Sequence, residues 1–160
     1  MAWELAQFNL ARAIAPLDSP ALAGFMAELQ RINQLADDSP GFVWRFEGAS
    51  AAVPAAAAPG DPQMLYNLSV WRSVEALFDY TYRSDHAKQM ARRRQWFEHS
   101  REPQLVLFWV AEGHRPSLEE GVERLRELRA RGPSPRAFTF KSRVAPPSSQ
   151  ECAQAMPPTR

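Results

Sequence analysis

The sequence predicts an α+β domain whose elements run β-α-β-β-α-β, the ferredoxin-like order, followed by a C-terminal α-β extension. Three observations predict it. Short extended stretches occur at 3–10, 42–47, 64–71 and 104–111; the first three alternate in character and the last is apolar after Gln104. Between them, apolar residues recur every three to four positions. Ser, Pro and Gly punctuate nearly every junction.

In Trp3–Leu10, Trp3, Leu5, Gln7 and Asn9 share one face and Ala6, Phe8 and Leu10 the other. Ser19-Pro20 supplies an N-cap and a proline at the first helical position. Leu22, Phe25, Met26, Leu29, Ile32 and Ala36 follow at helical spacing, ending before Ser39-Pro40-Gly41. Phe42–Glu47 is a strand with Phe42, Trp44 and Phe46 on one face. Residues 48–62 are rich in Ala and Pro and predict a mobile loop. In the strand Met64–Trp71, Leu65, Asn67, Ser69 and Trp71 share a face. Ser73 caps a helix with Val74, Leu77, Phe78 and Thr81 in one stripe, and Ser84-Asp85 breaks and restarts it. In the restarted helix His86, Met90, Arg93 and Phe97 fall at helical spacing. Gln104–Ala111 is buried on both faces. Ser117 and Glu120 form a capping box for a helix with Leu118, Val122, Leu125 and Leu128 inward; Glu120–Arg124 and Glu127–Arg131 are i,i+4 pairs on its solvated side. Ala137–Lys141 is a short final strand. The domain therefore spans 1–143 and a disordered tail 144–160.

That order covers one sheet face with helices. Trp3, Leu5, Trp44 or its neighbours, Leu65 and Trp71 read as much of the other face, too apolar to stay wet, so a homodimer closing sheet on sheet is expected.

Composition narrows the function classes. With 19 Lys+Arg against 18 Asp+Glu there is no basic excess, which argues against nucleic acid and anionic membranes as partners. Arg92–Arg94 fan around a helix and read as a solvated basic face with at most one ion pair. One cysteine, Cys152, permits no intrachain disulfide, and neither a secretory leader nor a membrane span is evident, so a cytoplasmic location is expected. The three histidines match no metal-ligand spacing, and no metal site is predicted.

The chemistry concentrates on one constellation. Asn67, Ser69 and Trp71 share a strand face, and Asn9 interrupts the first strand with a second amide. With Trp44, Trp96 and His86 they outline an amphipathic pocket for a small apolar or aromatic ligand. His86 lies just inside a helix start, where the dipole disfavours its protonated form. It is either a base or ligand in that pocket, or a structural histidine bonded to a neighbour.

The segments SPGFVWRF, NLSVWRSVEALFDYTYRSDHAKQMARRRQWF and LVLFWVAEGHRPSLEEGVERLRELRARGPSPRAFTF together resemble the uncharacterised bacterial DUF3291 family, from about Trp3 to Lys141. That family in turn is similar to the dimeric α/β-barrel superfamily of antibiotic-biosynthesis-type and haem-degrading monooxygenases. The resemblance implies a dimeric ferredoxin-like barrel. The haem-degrading relatives use an Asn on the first strand, a Trp ending the third and a His on the second helix. Asn9 and Trp71 match by place, and His86 follows Trp71 at a longer spacing, beyond the helix break. These three are the catalytic candidates; Trp44, Asn67, Ser69 and Trp96 are the ligand-binding candidates. The resemblance leaves two cofactor states open, none or a haem. A monooxygenase-like enzyme and a non-catalytic ligand-binding or structural dimer both remain as functions.

Overall fold

The computed structural model describes residues 2–47, 61 and 63–148. The predicted 48–62 loop, apart from Asp61, lies outside these residues, as do the tail from 149 and Cys152.

The elements are β1 (Trp3–Arg12), α1 (Ala23–Asp37), β2 (Phe42–Arg45), β3 (Met64–Trp71), α2 (Val74–Arg83), α3 (His86–Ala91), β4 (Leu105–Ala111) and α4 (Leu118–Arg131). The sheet order is β2-β3-β1-β4, and every neighbouring pair is antiparallel. This is the ferredoxin-like topology, with α4 added after it.

Local chemistry sets the helix boundaries. Ser73 Oγ accepts from the Ala76 backbone N–H at 3.1 Å, and Ser117 Oγ from that of Glu120 at 3.1 Å, each satisfying an orphan donor of a first turn. Ser19 holds the N-cap position without a side-chain cap, and Pro20 opens a single 3-10 turn before α1. Ser84 donates to the Tyr80 carbonyl and accepts from the His86 N–H at 3.1 Å, so one hydroxyl ends α2 and starts α3.

The strand alternation splits the core into two layers. Ala6, Phe8, Leu68, Val70, Val106, Phe108 and Val110 pack with Leu118, Leu125 and Leu128 of α4. Leu5, Trp71 and Leu107 pack with Ala36 of α1 and Val74 and Leu77 of α2. Gly121 lets α4 approach: a Cβ there would stand 2.5 Å from Phe8 Cδ2. Gly41, at φ +82°, makes the turn into β2 where a Cβ would stand 2.5 Å from that of Ala76.

Five expectations change. The face carrying Leu5, Leu65 and Trp71 is not the uncovered one: it lies under α1, α2 and the segment after α3, while α4 covers the opposite face. Phe42 and Trp44 do not share a face, because a register irregularity between them sets Phe42 opposite Trp71 but Trp44 opposite Val70. The predicted strand 137–141 reduces to two isolated bridges: Phe138 and Leu107 exchange backbone bonds of 2.8 and 2.9 Å, and Ala137 turns back on Ser134. Glu127 pairs with Arg136 at 3.3 Å rather than with Arg131, and the Glu120 carboxylate bonds His114 at 2.9 Å rather than closing the capping box. Val144 is tied to the core, its carbonyl accepting from Trp109 Nε1 at 2.8 Å.

Candidate functional site

A cavity of about 470 Å³ lies between the sheet and α1–α3. Period two brings its floor together: Gln7 and Asn9 from β1 stand opposite Ser69 and Asn67 from β3. Phe25, Leu29 and Ile32 of α1 supply an apolar wall. Tyr80, Thr81 and His86, then Arg93, Trp96 and Phe97, continue it.

The floor is one hydrogen-bonded strip. Trp71 Nε1 donates to Ser69 Oγ at 2.9 Å, and Gln7 Nε2 donates to the same oxygen at 3.0 Å and to Asn67 Oδ1. Asn9 Nδ2 donates to Gln7 Oε1 at 2.9 Å. An indole N–H can only donate, so Ser69 must accept and keeps its own proton to give away. Gln7 thereby spends both of its amide protons. Asn67 Nδ2, a donor, and Asn9 Oδ1, an acceptor, carry no hydrogen bond among the described residues and are the strip's outlets into the cavity.

An aromatic ladder leads from this strip to the histidine. Trp71 stacks on Tyr80 with centroids 5.1 Å apart, and Tyr80 meets the His86 ring at 4.7 Å. His86 Nδ1 lies 3.1 Å from the Thr81 carbonyl oxygen. A carbonyl only accepts, so Nδ1 carries the proton and the neutral ring presents Nε2 as a bare lone pair. Burial holds the His86 pKa below its ordinary value, against a smaller opposing pull from the Thr81 carbonyl. Burial, with Asp37 nearby, pushes the Tyr80 phenol far up, so it stays protonated and donates to the Ile32 carbonyl at 3.3 Å.

Of the residues singled out in the sequence, Asn9, Asn67, Ser69, Trp71, His86 and Trp96 all line this one cavity. Trp44 does not: the β2 irregularity turns it to the opposite face, where it packs in the α4 layer. Gln7, Tyr80 and Arg93 were not among the candidates. Gln7 shares the Asn9 face, but its tie to Ser69 needs the β1–β3 register. Tyr80 lies off the apolar stripe of α2, and no local signal marks it. Arg93 sits at the His86/Met90 spacing, the one sign that it turns inward from the basic run. His99 and His114 are exposed, the latter paired with Glu120.

No group of three or more His, Cys, Asp or Glu among the described residues could hold a metal ion. A haem would be held by one nitrogen of the cavity wall, His86 Nε2. Its Nδ1–H is fixed by a backbone carbonyl, as in ligating imidazoles. No helix among the described residues is long and apolar enough to cross a membrane.

Residues 4–154 match the family described as a domain of unknown function, DUF3291. No curated protein matches the chain. Among solved structures, it is similar to a protein of unknown function from Nitrosomonas europaea (16% identity, TM-score 0.47, covering 72% of this chain and 96% of that one). A candidate antibiotic biosynthesis monooxygenase from Chloroflexus aurantiacus is similar at 17% identity and TM-score 0.46, covering 70% and 97%. SnoaB, a cofactor-independent oxygenase from Streptomyces nogalater, is similar at 16% identity and TM-score 0.45, covering 73% and 98%. None of the three carries a functional assignment to this chain.

Proposed function

The chain belongs to the DUF3291 family, and from that premise we propose that it is an oxygenase-type enzyme that takes a small aromatic ligand into the cavity between the sheet and α1–α3. One observation carries the reading. A neutral imidazole with an open Nε2 and a polar strip with free donors on Asn67 and Ser69 and a free acceptor on Asn9 line the same aromatic-walled space.

The roles follow from the free valences. Asn67 Nδ2 donates to a ligand carbonyl and Asn9 Oδ1 accepts from a ligand hydroxyl. Trp71 and Trp96 are aromatic walls, with Ser69 holding the Trp71 indole in place. A methylene opposite a ring carbonyl, as in anthrone, loses a proton to His86 Nε2. The electron pair moves onto the carbonyl oxygen, where the Asn67 donor stabilises it. Dioxygen is the co-substrate. It takes four electrons from the methylene; one oxygen atom becomes the new carbonyl and the other leaves as water with the two methylene hydrogens.

Oxygen uptake with anthrone tests this. Wild-type protein accelerates uptake, and His86→Ala loses about 100-fold or more of the gain. Because burial lowers the His86 pKa, the base is mostly neutral at an imidazole's ordinary 6.5, and the loss of rate on acidification is centred below that pH. No acceleration by wild-type protein removes the reading.

The Nδ1–Thr81 bond also favours a second reading, a ligand-binding protein whose histidine is structural. It predicts that His86→Ala shifts the melting temperature while wild-type and variant are equally inert toward anthrone. A haem, if bound, would be held by His86 Nε2 and would supply iron redox chemistry; haemin that gives no Soret shift excludes it.

A homodimer completes the proposal. The strong α4 contacts are with β1 and β4, and Phe46, 37% exposed, follows β2 on the β2–β3 side of that face. A second copy packing there would cover it. Cytoplasmic placement is part of the same reading.

A further inference from the structure

We infer that the cavity takes its ligand as a carboxylate, seated against the Arg93 guanidinium and the Gln104 amide where the segment after α3 meets the start of β4. This rests on the aromatic-ligand reading of the same cavity and deepens it: among aromatic ligands the cavity prefers a monocarboxylic acid over a neutral one.

The other buried or half-buried charges of the cavity wall are neutralised within the chain. Arg45 pairs with Asp37 at 2.8 Å, and Glu28 pairs with Arg31 at 2.8 Å. Arg93 has no acidic partner among the described residues. Its one side-chain hydrogen bond among the described residues runs from Nη2 to Gln104 Oε1 at 2.7 Å, and its guanidinium lies 6.0 Å from the Phe97 ring centroid. Burial lowers its pKa with no opposing contribution, the mark of a cation that has lost water and gained no counterion.

The chemistry of the pair fixes what is missing. Arginine only donates, so it orients the Gln104 amide with oxygen inward and leaves both Nε2 protons free. The guanidinium has four further N–H groups with no acceptor among the described residues. Donors therefore stand side by side on the wall, around one net positive charge. A carboxylate supplies two acceptor oxygens and a single negative charge, which matches this corner in both respects. A phosphate would bring further charge, and the other lining cation without an acidic partner, Lys141, is exposed. The rest of the lining is mostly apolar and aromatic, so the remainder of the acid is an aromatic body.

Titration of the full chain with 2-naphthoate and with its neutral isostere 2-naphthamide, followed by tryptophan fluorescence at pH 7.5, tests this. The expected result is about tenfold or more tighter binding of the naphthoate. In Arg93→Gln the ratio falls to within about twofold. Gln104→Glu keeps the arginine and supplies an internal carboxylate, so it removes the preference without deleting the cation. Equal affinity for the two compounds in wild-type protein overturns the inference and leaves the aromatic reading standing. So does a preference that survives in both variants. Binding of neither compound removes the aromatic reading, and this inference with it.

Discussion

Ser69 accepts two hydrogen bonds in the cavity floor, from Gln7 Nε2 and from Trp71 Nε1, and all three residues are buried. Ser69→Ala leaves both donors without that acceptor. An unsatisfied buried donor costs about 1–3 kcal/mol, so the urea midpoint falls by an amount a single denaturation curve resolves. An unchanged midpoint would mean that water replaces the hydroxyl. The same substitution frees the Trp71 indole, and its near-ultraviolet signal broadens. At this scale the sequence was informative wherever one strand sufficed. The Asn67, Ser69 and Trp71 face follows from period two alone. Gln7 was not recoverable as a site residue, because its partners come from another strand some 60 positions away. Arg93 was hidden for a different reason: in a run of three arginines, composition does not say which one turns inward.

Capping marked α2 and α4 in the sequence because Ser73 and Ser117 act within four residues. The face each helix covers was less legible. Amphipathic spacing shows that α4 buries Leu118, Leu125 and Leu128, but not that they meet Phe8 and Phe108. The β2 irregularity had no signature either, so Trp44 was placed on the wrong side of the sheet. The close approach of α4 rests on Gly121. In Gly121→Ala the added methyl meets a Phe8 ring that is fully buried and cannot retreat. Overpacking of this kind costs about 1–3 kcal/mol, measured as a lowered melting temperature. A melting temperature equal to wild type would show that α4 is free to slide outward.

The whole molecule places its two sheet faces in different roles. One carries the α4 layer and is a core. The other combines apolar packing with a polar strip, and the space left above that strip is the cavity. The element order was readable because every strand and helix has its own periodicity. The layer assignment was not, because a strand alternates identically whichever face is called inner. Self-association belongs at this scale. Light scattering at micromolar concentration is expected to give twice the 18.1 kDa chain mass, and Phe46→Asp to return it to one. A clean wild-type monomer contradicts the dimer and leaves the cavity untouched.

The proposed chemistry depends on His86 presenting a bare Nε2 to a ligand in that cavity. Long-range nitrogen–proton correlation of the histidine ring, recorded with and without anthrone, tests it most directly. The Nδ1–H tautomer is expected at neutral pH, with the Nε2 resonance shifting on ligand addition while Nδ1 stays bonded to Thr81. An Nε2–H tautomer, or an Nε2 resonance unmoved by a ligand that quenches the cavity tryptophans, would contradict it.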